Sequence, residues 1–164
     1  YCEELMTGFE YSFAGELIMR GKVQDGLKVI KAIRNRYDGF KRNPYNEIEC
    51  GNNYVRPLAS FALINAFSGF DFHLPKGYIK FAPKVKKNNF KCIWSLGTGW
   101  GEFLKNENTA TLKIKDGSIK LSAFGSSLKN VKEVYIDSKK VDFTEKNGFV
   151  YFKETEIKEG ITVK

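Results

Sequence analysis

The residues best suited to chemistry lie together in one stretch, residues 43–56. This stretch contains two glutamates, Glu47 and Glu49, together with Arg56 and four asparagines. Carboxylate, guanidinium and amide groups donate and accept hydrogen bonds, and the charged ones make the stronger bonds. A sugar hydroxyl is both a donor and an acceptor. The stretch therefore predicts a sugar-binding pocket, with a glutamate–arginine bridge that only holds a loop over a helix start as the alternative.

Glu47 and Glu49 are separated by a single residue, so in an extended segment their carboxylates point to the same side. Paired carboxylates also serve as the acid and the nucleophile of glycosidases. Those two groups flank the scissile bond from different sides, about 5 Å or more apart, and normally come from separate elements. The pair is thus not predicted to be the catalytic dyad. It either contacts a ligand together with Arg56 or forms the bridge, and Asn46 and Asn53 are candidates for the pocket rim.

A second cluster, residues 94–101, has two tryptophans, Trp94 and Trp100, among three glycines. The indole rings either fill a junction where a strand turns back or support the rim of a pocket. The glycines do not form a GxGxxG pattern between a strand and a helix, so a dinucleotide site is not indicated.

The composition argues against several classes of protein. Three cysteines without a CxxC motif and a single histidine predict no metal site, no cofactor and reduced thiols in a cytoplasmic protein. No run of about 18 apolar residues is present, so no membrane span is predicted. The start of the sequence also lacks the basic and apolar regions of a signal peptide.

The net charge of +8 is unevenly distributed. Residues 1–82 hold 11 Lys and Arg against 9 Asp and Glu, whereas residues 83–164 hold 16 against 10, and all 16 are lysines. Proteins that read nucleic acids rely on arginine, which contacts phosphate and guanine at two points. Lysines spaced along strands are typical of a solvated sheet face. The sequence therefore predicts no nucleic-acid partner.

The apolar periodicity predicts three helices before residue 75. The first begins at a capping box formed by Thr7 and Glu10 and ends at Gly21. The second covers residues 23–36 and the third residues 56–68, where Pro57 suits the first turn. The predicted apolar stripe of the first helix consists of Phe13, Ala14, Leu17 and Ile18, and that of the second of Val23, Leu27, Ile30 and Ile33.

The third helix is apolar on almost every side, in the run LASFALINAF. Such a helix requires cover from most directions, which two neighbouring helices hardly provide. The pattern predicts that these helices belong to a larger helical assembly, or that their exposed faces join copies of the chain into a homo-oligomer.

After residue 75 the apolar period becomes two, which is typical of strands. Residues 116–117, Asp-Gly, predict a two-residue hairpin, and residues 146–148, Lys-Asn-Gly, predict another turn. The sequence thus predicts an α+β fold with a helical segment, residues 1–75, and a sandwich-like antiparallel β module, residues 76–164. The predicted strands are residues 78–81, 90–96, 109–115, 118–124, 131–137, 140–143, 149–152 and 161–163.

Three strings resemble glycoside hydrolase family 116, the β-glucosidases that include the non-lysosomal glucosylceramidases. They are LMTGFEYSFAGELIMRGKVQDGLKVIKAIRNRYDG, RNPYNEIECGNNYVRPLASFALINAFSGF and FKCIWSLGTGWGEF. The resemblance covers roughly residues 3–104, and the lysine-rich strands after residue 105 do not contribute to it.

The resemblance implies the last part of an (α/α)6 toroid and a retaining hydrolysis of β-glucosidic bonds. The family's nucleophile and acid/base lie upstream of the TGFEY string, so no catalytic residue is expected in this chain. A glutamate and an arginine of the late region bind the innermost sugar, and Glu47 with Arg56 match them, with Glu49 as a rival. The implied partners are a β-glucoside or other carbohydrate and the missing N-terminal part of the same protein. The alternative is a non-catalytic carbohydrate-binding or interaction module.

We expect residues 1–164 alone to release no product from an aryl β-glucoside, because the catalytic carboxylates are predicted to lie elsewhere. A chromogenic assay on the purified chain measures this. Release at a rate that Glu47→Gln abolishes would contradict the prediction.

Overall fold

The computed structural model describes residues 5–47, 56–85 and 88–164 of the chain. The fold is α+β, as predicted. The chain divides into two compact units, Tyr1–Phe67 and Ser68–Lys164. The described helices lie almost entirely in the first unit and the strands in the second, which begins before the predicted boundary at residue 76.

The first unit is built on a hairpin of two helices, α1 (Thr7–Met19) and α2 (Val23–Arg36). The bounds of α2 are those predicted. The two helices cross closely at Gly26, where a Cβ would lie 2.9 Å from the carbonyl oxygen of Ala14 and 2.7 Å from the side chain of Ile18. A glycine at the crossing therefore lets α2 approach the backbone of α1.

The buried face of α1 differs from the predicted stripe. Ala14 and Ile18 are buried as predicted, but Phe13 is 57% exposed. The buried face consists of Thr7, Gly8, Tyr11, Ala14, Gly15 and Ile18. Its two glycines permit close packing, since Arg56 lies against Gly8 and Leu63 against Gly15.

The predicted capping box at the start of α1 is wrong. Met6 occupies the N-cap position without a side-chain cap, and Thr7 is already the first helical residue. The carboxylate of Glu10 pairs with Arg36 at the end of α2 instead of returning to the helix start. An ionised donor makes a stronger hydrogen bond than a backbone amide, which explains the change of partner.

The third predicted helix begins as a 3-10 helix, Arg56–Phe61, and continues as α3, Ala62–Ser68. Leu58 and Phe61 of the 3-10 helix are exposed, although both are large and apolar. No helix among residues 5–47, 56–85 and 88–164 is long and apolar enough to cross a membrane.

The second unit consists of two sheets that share one hydrophobic core. One sheet has the strand order β1-β2-β6-β10-β9 and the other the order β3-β4-β5-β11-β7-β8. The strands are β1 (Asp71–His73), β2 (Tyr78–Lys80), β3 (Phe90–Leu96), β4 (Gly99–Lys105), β5 (Ala110–Gly117), β6 (Ile119–Gly125), β7 (Val134–Ile136), β8 (Lys139–Val141), β9 (Thr144–Lys146), β10 (Phe149–Ile157) and β11 (Gly160–Val163).

Aromatic rings occupy the centre of this core. The rings of Phe81 and Phe103 stack with centroids 4.1 Å apart and planes 5° from parallel, and Phe124 meets Phe103 edge-on at 6.4 Å. Phe103 lies on β4 and Phe124 on β6, so the contact joins the two sheets. Burial of rings of this size dominates the stability of such a core.

The predicted hairpin at Asp116-Gly117 is wrong, although both flanking strands exist. β5 pairs with β4 and β11 in one sheet, and β6 pairs with β2 and β10 in the other. Gly117 has a φ of +81° and redirects the chain between the sheets instead of reversing it within one. The turn at Asn147-Gly148, with φ values of 53° and 78°, does join neighbouring strands of one sheet, as predicted.

Three strands were not predicted: β1, β4 and β9. β4 contains two glycines and Trp100, and this composition conceals its alternation of inward and outward residues. Most strand pairs are antiparallel, but β2 and β6 are parallel, so the module departs from the purely antiparallel prediction.

Gly117→Ala tests the crossing between the sheets. A Cβ at Gly117 would overlap the carbonyl oxygen of Thr98 and would also require a left-handed backbone. We expect the free energy of unfolding to fall by about 3 kcal/mol. Denaturation followed by tryptophan fluorescence measures it, since both tryptophans lie in this unit.

Gly148→Ala is the matched control, because Gly148 has a similar φ of +78° but open space where a Cβ would lie. Its expected cost is about 1 kcal/mol, from the backbone alone. If the two substitutions lower the free energy of unfolding equally, the close approach of Thr98 to Gly117 has no effect on stability, which would contradict the prediction.

Candidate functional site

The carboxylate of Glu47 joins the loop after α2 to both helices of the hairpin. Its Oε1 accepts a hydrogen bond from the hydroxyl of Tyr11 on α1 at 2.7 Å. The same oxygen accepts a hydrogen bond from Nη1 of Arg34 on α2. The side chain of Glu47 is only 9% exposed, whereas that of Arg34 is 43% exposed. The carboxylate is therefore enclosed, with its counter-charge at the surface.

The second oxygen of Glu47 is in a different situation. Oε2 is buried and has no hydrogen-bond partner within the described part of the chain. A buried acceptor without a partner costs about 1–3 kcal/mol, and more when it is charged. A bridge that only fastened the loop would not require this cost, since one oxygen already makes both contacts. Oε2 therefore keeps the capacity to accept a hydrogen bond from a group outside the described residues.

The two helices supply these partners from adjacent ends. Tyr11 belongs to the first half of α1, and Arg34 belongs to the last turn of α2. A helix N-terminus favours anions and a C-terminus favours cations. The positive charge of Arg34 in the last turn of α2 agrees with the dipole of that helix.

The loop that carries Glu47 is shaped by short side chains. The carboxylate of Asp38 accepts hydrogen bonds from the amides of Phe40 and Lys41, and the amide oxygen of Asn43 accepts one from the amide of Tyr45. Such local bonds stabilise turns without a sheet or helix. Nη2 of Arg34 also donates to the carbonyl of Pro44 at 3.4 Å. The loop is thereby directed back toward the helix ends.

Arg56, the predicted partner of Glu47, lies against the same part of α1. Its guanidinium carbon is 5.0 Å from the ring centroid of Phe9. A Cβ at Gly8 would lie 2.7 Å from both Cγ and the carbonyl oxygen of Arg56, so the absence of a side chain at Gly8 permits the approach. Gly8 and Tyr11 are three residues apart and share a helix face. The first two turns of α1 thus hold both Arg56 and, through Tyr11, Glu47.

A wider group of polar residues lies at the start of α1, at the end of α2 and on the loop that follows, and we call it the polar cluster. Its members are Thr7, Glu10, Tyr11, Arg34, Arg36 and Glu47. Besides the contacts of Glu47, Arg36 pairs with Glu10. Two further buried atoms, Oγ1 of Thr7 and Nε of Arg36, have no hydrogen-bond partner in the described residues. Thr7 is one helical turn before Tyr11, so a second unsatisfied group lies on the same face as the Glu47 contact.

The other predicted site residues of this region are less informative. Asn46 is exposed, and its backbone amide donates to the carbonyl of Asn43 at 3.2 Å. Glu49 and Asn53 lie outside the described residues. Their predicted roles at the pocket stay predictions.

The two tryptophans of residues 94–101 lie on opposite faces of one sheet. Trp94 is buried in the core, and its indole nitrogen donates to the carbonyl of Lys113 at 3.2 Å. Trp94 therefore has the first of the two roles predicted for the indole rings, which is to fill a junction in the core, and not the second, which is to support the rim of a pocket. Trp100 pairs across the strands with Ser95 on the outer face and is 49% exposed, close in register to the exposed Ile93. Only Trp100 is accessible to a ligand.

Cys92 is a free thiol that faces the core of the second unit. Burial raises the pKa of Cys92 to about 11, although a hydrogen bond with Ser68 opposes the shift. The thiol therefore stays protonated near neutral pH and is not suited to act as a nucleophile. Cys2 and Cys50 lie outside the described residues.

Tyr11 and Arg34 are residues of this site that the sequence does not single out. The spacing of Thr7, Tyr11, Ala14 and Ile18 fits one helical face as well as the predicted stripe does. Tyr11 is less apolar than the neighbouring phenylalanines, and this difference conceals the face. The signal for Arg34 is weaker still, since an arginine in the last turn of a helix is usual.

The Tyr11–Glu47 contact predicts that Tyr11, one of the eight tyrosines, ionises at an unusually high pH. Burial first, and then the hydrogen bond to Glu47, raise the pKa of Tyr11 from 10.0 to about 12, while Arg34 opposes the shift. The folded state therefore holds this proton more tightly than the unfolded state. The resulting stabilisation is complete below a pH of about 10 and is lost as the pH rises toward about 12.

Ultraviolet absorbance of ionised tyrosine, followed as the pH rises, measures the pKa of Tyr11. The part of the titration that is lost in Tyr11→Phe belongs to Tyr11. We expect Glu47→Gln to lower the pKa of Tyr11, since it removes the negative charge that disfavours the tyrosinate. A pKa unchanged by Glu47→Gln would contradict the observed contact.

Comparison with known proteins identifies no family for this chain. No model of a known protein family matches it, and no curated protein sequence matches it. The resemblance to glycoside hydrolase family 116 therefore stands on the sequence strings alone.

Proposed function

We propose that the chain is the C-terminal part of a retaining β-glucosidase of the family-116 type, located in the cytoplasm. In this proposal it contributes sugar contacts through Glu47 and Arg56, and the nucleophile and acid/base lie in another part of the protein. The ligand is a β-glucoside or a related carbohydrate.

One observation carries the proposal: Oε2 of Glu47 is buried and has no hydrogen-bond partner among residues 5–47, 56–85 and 88–164. The resemblance to glycoside hydrolase family 116 also implies Glu47 as a sugar ligand, with Glu49 as a rival. The enclosure of Glu47, with one oxygen held and the other unsatisfied, is the arrangement that a hydroxyl-binding carboxylate requires. The bridging alternative accounts for Oε1 but leaves the cost of burying Oε2 unexplained.

Arg56 and Glu47 both contact the first two turns of α1, Arg56 at Gly8 and Phe9 and Glu47 at Tyr11. In the proposal, the guanidinium of Arg56 supplies donors and the carboxylate of Glu47 an acceptor to hydroxyls of one sugar ring.

The exposed apolar side chains of the first unit support a toroid. Phe9 and Phe13 on α1, together with Leu58 and Phe61 of the 3-10 helix, are all more than half exposed. The remaining helices of an (α/α)6 toroid would cover such faces. Without them, two copies of the chain would associate through the same surfaces.

Titration of the isotope-labelled chain with methyl β-D-glucopyranoside tests the proposal, with chemical-shift changes as the readout. We expect Glu47→Gln to weaken binding about tenfold, because a hydrogen bond to a charged group is worth about 1.5–3 kcal/mol. Glu16→Gln is the matched control, since Glu16 pairs with Arg20 at an exposed position of α1. Its affinity should equal that of the unchanged chain.

A stand-alone carbohydrate-binding β module is the second candidate, and Trp100 favours it. An indole ring half exposed on the outer face of the sheet, beside the exposed Ile93 and the hydroxyl of Ser95, offers a stacking surface for a sugar ring. Glu102, on the same face, is held by Lys91 at 2.7 Å and lies 3.8 Å from Lys115.

The same titration separates the two candidates. Loss of binding in Trp100→Ala but not in Glu47→Gln would establish the β module and overturn the glycosidase proposal. Loss in Glu47→Gln but not in Trp100→Ala is the result that the glycosidase proposal requires.

A further inference from the structure

The carboxylate of Glu47 is held by donors from two separate helices, and both donors reach the same oxygen. Tyr11 approaches Oε1 from α1 and Arg34 from α2. A glutamate side chain has three rotatable bonds, so a single contact would leave the direction of the other oxygen open. Two donors fixed on two packed helices define that direction.

We propose that Tyr11 and Arg34 are positioning residues, which aim Oε2 of Glu47 at a donating hydroxyl of the bound sugar. The inference rests on the proposed function, since it assigns the support of the same sugar contact. It adds a chemical restriction: Oε2 of the carboxylate is an acceptor, so the sugar hydroxyl that binds there supplies the hydrogen atom.

The remaining charged groups of the polar cluster are already engaged. Glu10 and Arg36 pair with each other. Tyr11 and Arg34 are therefore the described donors whose contacts bear on the direction of the Glu47 carboxylate. Tyr11 itself is almost fully buried, so its hydroxyl has little freedom to choose another partner.

The first part of the experiment is the titration with methyl β-D-glucopyranoside applied to variants of the two donors. Tyr11→Phe removes only the hydroxyl, and we expect binding to weaken about threefold. Arg34→Gln should weaken binding about tenfold, and Arg34→Lys should recover most of that loss, since a lysine still donates to the carboxylate with a positive charge.

Tyr151→Phe and Arg20→Gln are the matched controls. Tyr151 is a partly exposed tyrosine of the second unit, and Arg20 is an exposed arginine paired with Glu16. Neither should change the affinity. Thermal unfolding of every variant identifies any change that is due to loss of the fold.

The second part is a double-mutant cycle. If Tyr11 acts through Glu47, Tyr11→Phe should have no further effect on sugar affinity in a Glu47→Gln chain. A role of Tyr11 confined to packing would produce the same loss in both backgrounds.

The outcomes separate this inference from the proposed function. If Glu47→Gln weakens binding but Tyr11→Phe and Arg34→Gln do not, the positioning role is overturned and the sugar contact stands. If Glu47→Gln has no effect, or the chain binds no sugar, the proposed function and the positioning role both fail. Additive effects in the cycle, or no recovery by Arg34→Lys, also overturn the positioning role.

Discussion

The two hydrogen bonds accepted by Oε1 of Glu47 organise the first unit of this protein. They join the loop after α2 to the start of α1 and to the end of α2. They also offset part of the cost of removing the carboxylate from water, since two donors bind one of its oxygens and one of these donors is charged. Tyr11 and Arg34 both donate to Oε1, which leaves Oε2 without a partner among the described residues.

Close backbone approach is the second condition for this arrangement. Gly26 allows α2 to pack against α1 near Ala14, and Gly8 allows Arg56 to reach the first turn of α1. A methyl group at either position would force the elements apart. Gly26 therefore sets the separation of the two helices that carry Tyr11 and Arg34, and Gly8 sets how closely Arg56 approaches α1.

The second unit is stabilised by different means. Its two sheets meet through stacked rings, and its outer faces are occupied by lysines and glutamates paired across strands, such as Lys91 with Glu102 and Lys140 with Glu133. These exposed pairs contribute little stability individually. Nearly all lysines in the described part of this unit are exposed, so the charge belongs to a solvated sheet surface. Trp100 interrupts that surface with an exposed ring.

The sequence predicted correctly those elements that depend only on residues close together in the chain. The bounds of α2 and β3, and the turn at Asn147-Gly148, follow from apolar period and turn chemistry within a few residues. The start of α1 differs from its prediction because Arg36, which lies 26 positions away, attracts the carboxylate of Glu10. The strands on either side of Gly117 follow from the sequence, but the sheet to which each belongs depends on partners far along the chain.

By itself, the sequence determined the α+β class, the position of most elements and the identity of Glu47 as a residue of interest, since composition and periodicity act over short distances. The tertiary structure alone decided which partners Glu47 has and which of its oxygens is left without one among the described residues. It also decided that Trp94 is buried whereas Trp100 is exposed. The physical reason is the same in each case: burial and hydrogen bonding depend on groups that only the folded chain brings together.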